Sequence, residues 1–223
     1  MNPAARRWST PLFIVFALAL FTLTAAPGMD TEDSAELAGG ARFLTMVHAP
    51  GYPLYLLAGR LFTALSPVPG RGLVLFSVLA ASLGVGLLHG VVKRHWGEMA
   101  GALAALSLLF CAEFWRAATG AEVYALSVLF FVAILGALLE LERCPATTGR
   151  SLRMLGLLTG LALAHHIGLL IHLPAILCFI AWTLRGRAPR PRDIAAGLGF
   201  LGLGLLAYAA LPLLSRPNMP LIS

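Results

Sequence analysis

Charge is what this sequence has least of. Only 12% of its 223 residues are Asp, Glu, Lys or Arg, while 59% are hydrophobic and the mean hydropathy is +0.85. Soluble domains carry roughly 25% charged residues, so this balance excludes a soluble domain and points to an integral membrane protein. Cysteine is scarce too: Cys111, Cys144 and Cys178 are scattered, with neither metal-site nor disulfide spacing. Internal repeats, low-complexity tracts and a polar domain are absent as well. Acidic residues number 10 against 16 basic ones. Such an excess can signal nucleic acid, but here the arginines sit in short loops between apolar runs, where they orient a membrane protein instead. The expected partner is the lipid bilayer, with no nucleic acid.

Apolar runs of spanning length, or close to it, occupy about 11–28, 72–92, 99–115, 122–141 and 194–214. A further run, Leu152 to Leu184, would reach roughly 50 Å as one helix at 1.5 Å per residue, far more than a ~30 Å hydrocarbon core needs. His165-His166-Ile167-Gly168 near its middle predicts a break and two short spans, about 152–164 and 168–184. The sequence thus predicts an all-α, polytopic transmembrane helix bundle of about seven spans, a single transmembrane domain over residues 1–223. Seven spans gather Arg6, Arg7, Lys93, Arg94, Arg143, Arg150, Arg153 and the arginines of the 185–192 loop on one side. The positive-inside rule then sets the N-terminus in the cytoplasm; the plasma (inner) membrane is the expected location. Arg6-Arg7, an apolar run and Ala25-Ala26-Pro27 also fit a signal peptide. Everything downstream is membrane-embedded, so the run is retained here as the first span.

The first outer loop, residues 29–71, collects Asp30, Glu32, Asp33 and Glu36, four of the ten acids. Pro53 to Leu65 is too short to span. Its Leu54, Leu57, Leu61 and Leu65 recur at helical spacing with Arg60 off the stripe, which predicts a helix lying along the outer interface.

Asp33 and Glu36, three apart, share one face of a helix. The structural alternative is a capping box with Asp33 as N-cap and Glu36 at N3. Capping explains two acids but not four within seven residues at a membrane surface, where repulsion and desolvation oppose clustering. A carboxylate there suits a general base, and the cluster could instead offer oxygen ligands to a divalent metal. Glu122 opens a span from the same side, either as a helix-dipole partner or as a second active-site acid. Arg116 is an interfacial anchor or a phosphate ligand. His48 orders a loop or meets substrate. His165-His166 are hydrogen-bonded turn residues or bind an anionic leaving group.

Taken in chain order, several short motifs recur together. They are Asp33-Ser34-Ala35-Glu36, His48-x-Pro50-Gly51-Tyr52-Pro53-Leu54, Trp115-Arg116 with Glu122-Val123-Tyr124, Gly160-Leu161-Ala162-Leu163-x-His165-His166, Leu211-Pro212-Leu213 and Asn218-x-Pro220. The set resembles bacterial membrane proteins related to the eukaryotic transmembrane protein O-mannosyltransferases, within the GT-C superfamily of polyprenyl-phosphate-sugar-dependent glycosyltransferases. The resemblance covers nearly all of this chain but only the N-terminal part of the family's length. One departure is Ala35, where family members usually carry Gly. The resemblance implies a GT-C-like fold and inverting transfer of a sugar from a polyprenyl-phosphate donor to an extracytoplasmic acceptor, a protein hydroxyl, glycan or lipid. Asp33, with Glu36 beside it, and Glu122 would be the catalytic carboxylates. His48, Tyr52, Arg116, His165 and His166 would bind substrate, the histidine pair approaching the lipid phosphate. Two rivals stand beside this reading: a non-catalytic membrane assembly subunit, and a lipid-sugar transporter or flippase. Transporters concentrate ionisable groups at the bilayer midplane on broken helices, whereas these acids lie outside the predicted spans.

Overall fold

The computed structural model of the chain describes residues 3–28, 32–49, 51–210 and 212. Asp30, Pro50, Leu211, Leu213, Asn218 and Pro220, which the sequence motifs include, lie outside the described residues. Among those described there is no β-strand. The helices are α1 (Pro3–Thr24), α2 (Glu32–Phe43), α3 (Pro53–Leu65), α4 (Pro69–Trp96), α5 (Glu98–Leu109), α6 (Ala112–Thr119), α7 (Tyr124–Arg143), α8 (Thr148–His165), α9 (Leu173–Leu184) and α10 (Pro191–Leu205). Short 3₁₀ turns cover Pro145–Thr147, Ile167–His172 and Leu206–Ala210. The chain divides into two compact units. Among the described residues, one holds those up to Val47 together with Tyr55–Val132, the other His48–Leu54 and those from Ala133 onward.

In the first unit α1, α2, α5 and α6 all pack on α4. Small side chains make this possible: Gly72, Ser77, Ala80, Ala81, Gly84 and Gly86 of α4 are buried, so neighbouring backbones approach closely. Ile14 of α1 occupies the space a Cβ on Gly86 would fill. Gly97 takes φ +93 between α4 and α5, a conformation open to glycine without steric cost. There the chain reverses and α5 lies back on α4, with no room at Gly101 for a Cβ, which would come within 2.8 Å of the His89 carbonyl oxygen. A polar network ties the same three helices. Thr10 Oγ1 meets His89 Nδ1 at 2.8 Å, Lys93 Nζ donates to Ser9 Oγ at 2.7 Å, and Glu98 pairs with Lys93 at 3.0 Å and His89 at 3.3 Å. Phe21 of α1 is fully buried edge-on against Phe114 and Trp115 of α6, at 6.0 and 5.4 Å.

In the second unit α8 and α10 pack through glycines on both helices. A Cβ on Gly204 would sit 2.6 Å from the Leu161 amide nitrogen, and the Leu201 carbonyl fills the corresponding space at Gly160. Tyr208 closes the contact by donating to the Leu163 carbonyl at 3.0 Å.

Among the described residues, four helical segments are long and apolar enough to cross a membrane: Pro69–Trp96, Tyr124–Arg143, Ile167–Leu184 and Pro191–Ala209. A fifth arises if Glu98–Leu109 and Ala112–Thr119, bent by 66°, form one broken span. The expected count of about seven does not follow from these helices. The described side chains of α1 form one shorter apolar stretch, Trp8–Thr24, and α8 carries Arg150 and Arg153 in its first two turns. The break predicted in the 152–184 run lies where expected: α8 ends at His165, and His166 is extended at φ −149, ψ 112.

Candidate active site

α2 carries the first pair of candidate acids. Its Ser34, Leu37, Ala38 and Ala41 are buried, at i, i+3, i+4 and i+7, whereas Asp33 and Glu36 are exposed. Their carboxylate oxygens lie within 4.8 Å of each other. The helix already begins at Glu32, so Asp33 stands inside the first turn and not at the N-cap position a capping box requires. Ala35, the departure from the family pattern, is exposed as well, and its methyl group lies off the buried face.

The end of α2 is locked to α3. Leu44 adopts φ +53 and the Thr45 amide donates to Gly40 O at 3.1 Å, a left-handed helix stop with its characteristic 6→1 bond. The Arg42 guanidinium donates to the Thr63 carbonyl at 2.7 Å, and Arg60 donates back to the Arg42 carbonyl. α3 buries Tyr55, Leu56, Gly59 and Thr63 while Leu57, Leu61 and Leu65 are exposed. The leucine stripe is thus left bare on this unit, as an interface-lying helix would have it.

Glu122 was expected in the first turn of a span. It lies instead two residues ahead of α7, in the α6–α7 connection. Ser77 of α4 holds it by both backbone groups: the hydroxyl donates to Glu122 O at 3.1 Å and accepts from Glu122 N at 3.3 Å. Beside this clamp Tyr55 is fully buried. Burial, then the Glu122 charge, push its hydroxyl well above the usual phenol range, while the neighbouring Ser77 hydroxyl pulls the other way. Glu122 is half-buried and opens onto a cleft of about 540 Å³, with Glu113, Arg116 and Tyr124 as further polar lining and Phe114 and Leu108 among the apolar. Arg116 is not held in reserve for a ligand: it pairs with Glu113 at 2.9 Å, both side chains about four-fifths exposed. Such an exposed pair is worth at most about 1 kcal/mol, so an incoming phosphate could displace Glu113.

The second unit brings His48, Tyr52 and His166 into one row. The Gly51 amide closes a turn on His48 O at 2.9 Å, and Gly51 and Tyr52 take φ +90 and +42 in succession. This folds the Tyr52 hydroxyl back to 3.2 Å from His48 Nε2. The other face of Tyr52 meets the His166 ring, centroids 5.4 Å apart. The Gly168 amide donates to His166 Nδ1 at 3.0 Å, so the neutral ring carries its proton on Nε2. Burial holds His166 below the usual imidazole range. His165 is fully buried, its ring 6.3 Å from that of His166.

Sequence reasoning missed Ser77, Tyr55, Glu113 and Gly168. Ser77 had a weak signal as a hydroxyl within an apolar run; Glu113 is three residues from Arg116 on one helix face. Gly168 was read only as part of the predicted break, and Tyr55 offered no signal.

Residues 33–188 match the family model described as the N-terminal domain of Protein O-mannosyl-transferase TMEM260. A protein named Protein O-mannosyl-transferase TMEM260 from Mus musculus is 31% identical over 224 aligned residues, which cover 95% of this chain and 31% of the mouse protein. The chain therefore spans about a third of the length of that relative. No solved structure matches it.

Proposed function

Starting from the fact that this chain belongs to the family of the Protein O-mannosyl-transferase TMEM260 N-terminal domain, we propose that it is the N-terminal, catalytic part of a multi-pass membrane glycosyltransferase of GT-C type. It transfers a sugar, mannose by the relative's name, from a polyprenyl-phosphate donor to a hydroxyl of an extracytoplasmic acceptor. The observation that carries this reading is α2. The family match begins at Asp33, and the helix buries its apolar face while presenting Asp33 and Glu36 side by side, outside every candidate span.

In this reaction Asp33 takes the acceptor's hydroxyl proton as the oxygen attacks the anomeric carbon. The new C–O bond forms opposite the phosphate, whose C–O bond breaks with its electron pair leaving on the phosphate, and the anomeric configuration inverts. Glu36 keeps the site anionic and orients the acceptor; the same two carboxylates would hold a divalent cation through oxygen. Arg116, once exchanged from Glu113, offers charge to a phosphate, with Glu122 as the supporting acid of that cleft. The Nε2–H of His166 and the Tyr52 hydroxyl supply neutral donors for sugar or phosphate oxygens.

The test is transfer from a labelled lipid-linked sugar in membranes carrying wild type or Asp33→Asn. Asn keeps the shape and removes the basicity. Turnover should fall by about 10²–10⁴, the usual worth of general-base assistance, with expression and thermal stability unchanged. Transfer at the wild-type rate in an active preparation would remove Asp33 from the mechanism. A chelator arm decides the cation: loss of turnover restored by Mg²⁺ or Mn²⁺ supports it, and indifference to chelation excludes it.

A further inference from the structure

We propose that the second unit carries a binding site for the phosphate of an anionic phospholipid headgroup, between the C-terminal ends of α7 and α9. A pocket of about 210 Å³ there is lined by Glu142, Trp182, Thr183, Arg185 and Arg187. That is below the ~300–1,000 Å³ of sites for whole drug-sized ligands, a size for a headgroup and not for a complete lipid.

Three observations point to an anion. First, Thr183 is 8% exposed, the only buried residue of α9, and its Oγ1 has no hydrogen-bond partner among the described residues. A buried hydroxyl without a partner is destabilising, and a ligand oxygen in the pocket would satisfy it. Second, Arg185 and Arg187 make no ion pair among the described residues, although Glu142 lines the same pocket. Glu142 thus offsets part of their charge without pairing with either, and the site keeps a net positive charge. Third, the pocket lies where the span Ile167–Leu184 ends, which is headgroup depth, and the half-exposed Trp182 is the residue type that belongs there. The partial negative charge at the C-terminus of α9 opposes an anion by a fraction of what two arginines contribute. Arg190 and Arg192 follow in the same loop of the sequence and add like charge to it, matching an anionic surface and not a zwitterionic one.

The test is native mass spectrometry of the full 223-residue chain released from mixed phosphatidylglycerol–phosphatidylcholine micelles. Wild type should retain phosphatidylglycerol in preference to phosphatidylcholine. Arg185→Gln with Arg187→Gln should lower that preference about 30-fold, two charges at about 1 kcal/mol each with tenfold per 1.4 kcal/mol. Thr183→Val should lower it by a smaller factor. Glu142→Gln, an exposed change that cannot unfold the chain by unpairing an ion pair, should raise it about fivefold and decides the matter should the arginine variant misfold. Equal retention of both lipids, or a preference untouched by these substitutions, would overturn the proposal. Inorganic phosphate, added as competitor, should leave phosphatidylglycerol bound; complete displacement would make free phosphate the ligand and overturn the lipid assignment.

Discussion

Tyr52 holds a left-handed backbone, φ +42, that a bulky residue adopts only when its surroundings insist. Those surroundings are Gly51 before it, Pro53 after it, the His48 ring on its hydroxyl and the His166 ring on its face. The row depends on Gly168, where a Cβ would come within 2.6 Å of His166 Cε1 and 2.7 Å of Nδ1. Gly168→Ala must turn the imidazole off Tyr52, and should cost about 1–3 kcal/mol as overpacking does, read as a lowered unfolding temperature in detergent together with reduced transfer. His166 also gives a pH signature. Its folded-state pKa lies below the ordinary 6.5, so on acidification the unfolded chain takes up this proton first. The stability it contributes is full above pH 6.5 and is lost as pH falls toward the folded value. Unfolding midpoints should therefore decline below pH 6.5, and His166→Gln should flatten that decline. A slope identical in wild type and His166→Gln would assign the titration elsewhere. The sequence made His48, Tyr52 and His166 candidates individually. Their assembly into one row was not legible, because it rests on two consecutive positive φ values and on a contact over more than a hundred residues.

At the scale of elements, legibility followed punctuation. Pro53 opens α3 and Pro67 and Pro69 follow its end, so its predicted and observed bounds coincide; the His-His-Ile-Gly break was marked by polar residues in an apolar run. The bend between α5 and α6 was not foreseen. It falls at Phe110 and Cys111, with no glycine or proline to announce it, inside a run that composition reads as one span. Equally hidden was the Ser77–Glu122 clamp, which joins residues 45 apart. Ser77→Ala strips a partner from both the Glu122 amide and its carbonyl. At about 1–3 kcal/mol for each unsatisfied buried group, reduced by whatever water reaches this half-open connection, unfolding should come at lower temperature. Transfer should fall with it, since Glu122 loses its anchor. Ser77→Thr keeps the hydroxyl and should retain part of both; if alanine matches wild type, the clamp positions nothing.

For the whole molecule, three native cysteines report the orientation without engineering. Cys111 is exposed at the α5–α6 bend, Cys144 is half-buried between α7 and α8, and Cys178 lies inside a candidate span. With the N-terminus in the cytoplasm and α1, α4, the broken α5–α6 pair and α7 each crossing once, Cys111 lies within a span, and an impermeant thiol reagent on intact cells should leave it unlabelled. Cys144 should label only after permeabilisation. Labelling of Cys144 from outside would make α5–α6 re-entrant or reverse the orientation. Membrane character was legible from composition alone, since it depends on a sum over residues. The number of crossings was not, because a helix as weakly apolar as α8, with Arg150 and Arg153 in its first turns, falls at the margin where neighbours, and not its own composition, decide whether it inserts.

That margin gives the glycine contact between α8 and α10 a role during biosynthesis. α8 leaves the ribosome with Arg150 and Arg153 in its first turns, and the helix it packs against lies between Pro191 and Leu205. Translation at about 5–20 residues per second leaves α8 without that partner for roughly 2–8 s after His165 is made. In that interval the nascent chain is exposed to quality control, and a bulky residue at Gly160 or Gly204 would prolong the exposure indefinitely. Such variants should show themselves as shortened half-life in a pulse-chase, before any change in the catalysis of the molecules that survive.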